Sequence, residues 1–278
     1  MLDCRDEAFS PAIWVSGLRF MSTRNYRNWN YGFLLHNLVS RDFKVRYRNM
    51  SLGVFWSLIN PLVMMGVLTF VFTKIFATSV PNFHVFVLTG LVPYSFFALA
   101  WGSATNSVLE NAGLVKRVGV PREIIPISVV LANGVHFLIQ TGLLLLIVLA
   151  GGYGVNRYWL WLPVVLGLEL LFACGLSLIS SALDVYFRDV RYVVESANTV
   201  LFWLVPIFYS FAIIPPAYHA LYQYNPIAAV VMACRNVLLE AKAPPSSLLE
   251  KLVLVSLGFL VFGFWFFGRL KRRFADYL

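Results

Sequence analysis

The chain has 278 residues, 59% of them hydrophobic and only 13% charged, and its mean hydropathy of +0.74 leaves too little polar surface for a soluble domain of this length. A net charge of +9 would suit nucleic acid in a water-soluble protein, but here the cations are sorted by position, which reads as topology and membrane-lipid contact and sets nucleic acid aside as a partner. Three cysteines without a CxxC spacing provide neither a disulfide framework nor a metal knuckle.

Residues 1–25 are polar and irregular, without the short apolar core and cleavage site of a signal peptide, and form an expected cytoplasmic tail. Residues 26–48 follow, with Tyr31, Leu34, Leu35, Leu38 and Val45 at helical spacing and Arg41, Lys44 and Arg48 available to phosphates. That pattern predicts an amphipathic helix lying in the inner interface. The remainder, 49–278, is expected to form one membrane domain.

Apolar runs at 49–73, 75–109, 124–156, 158–183, 196–234 and 252–268 are each long enough, or nearly so, to cross a hydrocarbon core of ~30 Å, which takes ~20 helical residues. They are continuous rather than alternating, so the chain reads as an all-α polytopic membrane protein with six transmembrane helices. A kink is expected at Pro61 in span 1 and a break at Pro93 in span 2. Span 5 is placed at 193–214. The apolar stretch 227–239 is too short for a further crossing, so short re-entrant helices at 217–223 and 226–239 are expected between spans 5 and 6. With six crossings, seventeen of the 22 lysines and arginines fall on one side, which the positive-inside rule makes cytoplasmic along with both termini.

Catalytic motifs are scarce. No glycine precedes a lysine, so there is no GxxxxGK[ST] phosphate loop, and the four histidines form no HExxH. Hence no metal site is expected. Asp184 and Asp189 could serve metal-diphosphate chemistry in a membrane enzyme, but carboxylates beside Arg188 and Arg191 more often form a solvated, paired loop. Glu169 is the one carboxylate deep in a span, and its charge needs a partner or a wet cavity. His136 lies at similar depth in antiparallel span 3, and an intramembrane His136–Glu169 hydrogen-bonded pair is the expectation.

The run Arg41-Asp42-Phe43-Lys44-Val45-Arg46-Tyr47-Arg48, then Leu52-Gly53-Val54-Phe55-Trp56-Ser57-Leu58-Ile59-Asn60-Pro61, resembles the start of the ABC-2 type permeases. It is most similar to the branch exporting O-antigen, capsular and teichoic acid polysaccharides. Gly90-Leu91-Val92-Pro93-Tyr94, Leu114-Val115-Lys116-Arg117, Pro121-Arg122-Glu123, Phe187-Arg188-Asp189-Val190 and Tyr224-Asn225-Pro226 extend the resemblance in order.

The resemblance implies a homodimer in the bacterial inner membrane, bound to two copies of a separate ATP-binding subunit. It also implies a lipid-linked polysaccharide as substrate. No cofactor is expected in this chain; ATP and Mg would sit on the partner. Residues 111–120 would form the main coupling helix, Leu114 and Val115 entering a cleft of the partner while Lys116 and Arg117 pair with its acidic rim. Arg41, Asp42, Arg188 and Asp189 are further contact candidates. Trp14, Trp29, Tyr158, Trp159 and Trp161 read as interfacial belt residues. Tyr94, Phe97, Trp101, Trp203, Phe208 and Tyr209 could offer a sugar polymer flat faces and polar tips along a translocation path, with Tyr218, Tyr222 and Tyr224 as an outer gate. A drug or a free lipid is the alternative cargo within the same family.

Overall fold

A computed structural model of the chain describes residues 31–47, 55–76, 80–117 and 121–277. The expected tail 1–25 with Trp14, the beginning of the interface helix with Trp29, Arg48 and the first residues of span 1 lie outside them. Among the described residues the structure is helical, with no strand. Its principal helices are α1 (Tyr31–Tyr47), α2 (Phe55–Phe70), α3 (Phe83–Glu110), α4 (Ala112–Arg117), α5 (Ile124–Ala150), α6 (Leu162–Tyr186), α7 (Val190–Leu204), α8 (His219–Tyr224), α9 (Pro226–Leu238), α10 (Ser246–Leu270) and α11 (Phe274–Tyr277).

Five helical stretches are long and apolar enough to cross a membrane: Phe55–Ile75, Phe83–Glu110, Ile124–Ala150, Arg157–Tyr186 and Ser246–Arg273. The central helix of the bundle is α3, packed against α2, α5, α6, α7 and α9. Its burial follows from a sequence apolar all round, with Val85, Leu88, Val92, Phe96 and Phe97 all inside. Pro93 lies within α3 without ending it, so the expected break is absent. Pro61 is likewise inside α2, which runs on into a π-helical turn at Val71–Ile75.

Helices α6 and α10 pack by their glycines. A Cβ at Gly175 would lie 2.5 Å from the Phe259 backbone, and one at Gly263 would lie 2.5 Å from the Gly175 carbonyl oxygen. Where lipid surrounds a bundle, this close backbone approach supplies the dispersion contact that water exclusion cannot.

The expected span 5 is the main departure. Instead of a helix over 193–214, α7 has 15 residues and stops at Leu204, about 22 Å at 1.5 Å per residue. The cause is local: Pro206 has no N–H to donate and disfavours helical geometry at Val205, whose φ of −72° and ψ of 135° are extended. The segment nevertheless follows α3 for much of its length. Tyr94 Oη donates to the Asn198 carbonyl, Asn198 Nδ2 donates to Ala98 O at 3.3 Å, and the Ile207 backbone lies so close to Gly90 that a Cβ there would be 3.1 Å from Ile207 Cα.

Two short helices follow, near the positions expected. After a 3-10 turn at Pro216–Tyr218 comes α8, and then α9. Asn225 starts α9 as an N-cap, its side-chain oxygen accepting from Ile227 N and Ala228 N at 3.1 and 3.4 Å, with Pro226 in the first turn where its missing donor costs nothing.

Candidate functional site

The end of the bundle where α3 finishes holds the residues expected to meet an ATP-driven partner. Asn111 caps α3, and its carbonyl accepts from Leu114 N and Val115 N to start α4. Val115 is buried, in a cluster with Val108, Ile125, Leu178, Phe267 and Phe274, and Leu114 packs against that cluster. Val115 thus anchors α4 to its own bundle rather than standing free to enter a foreign cleft as expected, whereas Leu114 is half-buried and keeps part of its surface accessible. Lys116 and Arg117 close α4, and their side chains lie outside the described residues.

Arg41 is engaged within the chain. Its guanidinium donates to Asp42 Oδ1 at 2.9–3.0 Å and to Asn111 Oδ1 at 3.0 Å, tying α1 to the root of α4. Both partners remain partly accessible. Arg188 and Asp189 are exposed at the turn between α6 and α7, and Asp184 interacts electrostatically with Arg188, Arg191 and Glu110, which puts this turn at the same end as the α3 terminus. Asp184 is buried and Asp189 exposed. Among the described residues no group of three His, Cys, Asp or Glu side chains could hold a metal ion, so the metal-diphosphate reading finds no assembled centre.

The aromatic residues divide into two sets. Tyr94, Phe97 and Phe208 are buried; Phe97 packs on Phe172 with centroids 5.7 Å apart and on Trp101 at 5.4 Å. Tyr94 meets the edge of Phe202 at 5.5 Å. These rings fill the interior of the chain's own bundle, Tyr94 and Phe97 from α3 and Phe208 from the segment after α7, rather than facing an open path within it. Trp101 is half-buried. Trp203, 61% exposed, and half-buried Tyr209 remain available, and both lie against Phe208 with centroids 5.3 Å apart.

Tyr209 also has a structural task. Its hydroxyl lies 2.6 Å from Leu204 O and 3.2 Å from Trp203 O, the carbonyls that α7 leaves unpaired at its end, and 3.3 Å from the Tyr222 hydroxyl. Tyr218 and Tyr224 are exposed near it in sequence, with Lys251 Nζ over the Tyr224 ring at 4.9 Å and bonded to Gln223 Oε1 at 2.7 Å. The proposed gate tyrosines thus lie on the segments joining the α7 break to α9.

The His136–Glu169 pair is not formed. His136 stacks on Phe43 of α1 at 5.2 Å. Glu169 is 1% exposed, and among the described residues neither of its carboxylate oxygens has a hydrogen-bond partner. The reason is the direction each side chain takes: His136 is turned to α1, whereas Glu169 lies near Cys234 of α9. Similar depth in two neighbouring helices did not make a shared face.

Sequence reasoning overlooked Arg235. It is 6% exposed, and its guanidinium donates to Ile207 O at 2.6 Å and Tyr209 O at 3.3 Å while stacking over the Phe86 ring at 3.6 Å. It therefore occupies the carbonyls released where α7 stops. An arginine within an apolar run such as 227–239 was the available signal.

The description "ABC-2 type transporter" matches residues 34–239. Over 257 residues the chain is 32% identical to an O-antigen export system permease protein RfbA of Klebsiella pneumoniae, covering 90% of this chain and 98% of that protein. The corresponding permease of Myxococcus xanthus is 29% identical over 250 residues, 89% of this chain and 96% of that protein. The polysialic acid transport protein KpsM of Escherichia coli is 24% identical over 233 residues, 81% of this chain and 89% of that protein. With one domain pattern spanning most of the sequence and full-length relatives on either side of it, this chain belongs to the ABC-2 type transporter family.

Proposed function

We propose that the chain is the transmembrane permease subunit of an exporter that moves a lipid-linked polysaccharide from the cytoplasmic to the outer face of a bacterial inner membrane. The observation that carries this reading is similarity to O-antigen export permeases over nearly the full length of both proteins. Two copies would form the conduit, and two copies of a separate subunit would bind and hydrolyse ATP with Mg.

The proposed topology has six crossings and both termini in the cytoplasm. Five are the long helices, and the sixth is α7 continued by 205–208, supported by its run beside α3 from Ala98 to Gly90. The α8–α9 pair then dips into the outer leaflet without crossing. Charge placement supports this direction: Arg122, Arg188, Arg191 and 269–273 all gather at one end.

Mechanically, closure of the ATP-binding subunits would push on α4 and on the exposed Arg188–Asp189 turn. Through the Arg41–Asn111 contact, α1 would follow α4. Trp203, Tyr209 and Tyr222 would then offer rings and hydroxyls to the glycan near the exit. Purified permease should hydrolyse no ATP alone, and hydrolysis stimulated by lipid-linked polymer should appear on adding its ATP-binding subunit. Stimulation by small amphiphiles but not by polymer would assign the cargo to drugs or free lipids; failure to bind any such subunit would reject the proposal.

A further inference from the structure

A lateral groove of about 800 Å³ lies between α5 and α6, walled by Leu131, Val135 and Leu138 on one side and Leu166 and Leu170 on the other, with Leu35 of α1 at its edge. Small residues keep it open: a Cβ at Gly167 would meet nothing within 4 Å. From Leu131 to Leu145 it follows α5 for about 21 Å at the helical rise, more than the ~15 Å half-thickness of a hydrocarbon core. An acyl chain of one leaflet fits lengthwise.

The first turn of α1 also borders a second cavity, of about 450 Å³ and different chemistry. Tyr31 lines it together with Pro121, Arg122, Glu123, Lys271 and Arg272, while the next residue, Gly32, already belongs to the groove. Among the described residues that line it, Glu123 is the one carboxylate, and it is matched to Lys271 at 3.0 Å. Arg122 bonds the Lys271 carbonyl, a neutral acceptor, so no described carboxylate lining the cleft balances the charges of Arg122 and Arg272. Apolar groove and cationic cleft thus meet at one turn of helix, the arrangement an amphiphile with an anionic head requires.

We propose that groove and cleft together bind one anionic phospholipid of the cytoplasmic leaflet, with an acyl chain between α5 and α6 and its phosphate between Arg122 and Arg272. The assignment to that leaflet rests on the topology proposed above; binding itself does not. Charge argues against the chain's own N-terminal segment as occupant, since Arg19, Arg24 and Arg27 precede Tyr31 and no acid follows Glu7 before it. The bound lipid would cement α1, the helix tied to α4, onto the bundle.

The test is native mass spectrometry on full-length permease equilibrated with equimolar phosphatidylglycerol and phosphatidylcholine of matched chains. Wild type should retain phosphatidylglycerol preferentially. Arg272→Gln, a change at an exposed position, should reduce that preference about tenfold, as loss of one charge-assisted contact would. Gly167→Trp should expel both lipids. Equal retention of the two by wild type, retention unaffected by filling the groove, or increased retention after deletion of residues 1–28 would overturn the proposal. So would displacement of phosphatidylglycerol by an equal concentration of polyprenyl phosphate, which would assign the groove to the carrier of the cargo. Each result is independent of whether the protein exports polysaccharide.

Discussion

The two ends of the bundle are held by different chemistry. At the α7 break, Arg235 is buried among backbone carbonyls and covered by Phe86, and Tyr209 caps the helix end. At the α4 end, Arg41 reaches Asn111 through a single hydrogen bond and stays partly exposed. The first junction is built to keep one geometry, because separating it strands buried polar groups. The second can be pulled apart at little cost, since water can replace what is lost. A machine worked from one end would be expected to be compliant there and stiff where it holds the shape of the exit.

Four substitutions probe this contrast. Arg235→Met should be the most damaging, destabilising the protein by about 3 kcal/mol because two buried carbonyls lose a charged donor; a thermal unfolding midpoint in detergent equal to wild type would break the comparison. Gly263→Leu should follow, at about 2–3 kcal/mol, because the added side chain must separate α10 from the α6 backbone. Its readout is the same midpoint together with the yield of folded protein. Tyr209→Phe should cost about 1 kcal/mol, the net value of a neutral hydrogen bond, and its effect should shrink in the Arg235→Met background if the two residues act on one junction. Arg41→Gln should change stability by under about 0.5 kcal/mol, yet lower ATP hydrolysis stimulated by the permease if α1 transmits motion from α4. An Arg41→Gln protein with normal stimulation, and a coupling energy near zero with Asn111→Ala, would place the link outside the mechanism.

Much of the fold was legible because long apolar runs admit few arrangements in lipid. The helices α2, α3, α5, α6 and α10 follow from length and continuous hydropathy, and α9 from the short apolar run 227–239. The α7 break was legible only in part. Pro206 marked a place where a helix could end, but Pro61 and Pro93 sit inside helices that continue, so proline alone did not discriminate. What decides the outcome is whether other groups take the freed carbonyls, and Arg235 and Tyr209 come from positions 26 or more and 5 residues away.

The site residues were harder to read for a related reason. Hydropathy distinguishes lipid from water but says little about which side of an apolar helix faces its neighbours. Tyr94 and Phe97 resembled path residues by type and depth, yet both lie on the buried sides of α3. Glu169 and His136 shared a level but not an azimuth. Val115 lies in a basic loop segment, and only the cluster around Phe267 and Phe274 shows that it is an anchor.

The stretch after α7 has a last consequence for export. In hydrocarbon, unwound backbone survives only where protein shelters it or where an aqueous cavity reaches it. Any outward swing that draws the guanidinium from Ile207 and Tyr209 must therefore deliver those oxygens to solvent or to glycan hydroxyls. If this segment borders the proposed exit, the exit cannot open dry: hydration of the unwound backbone and release of its arginine are then two descriptions of one event.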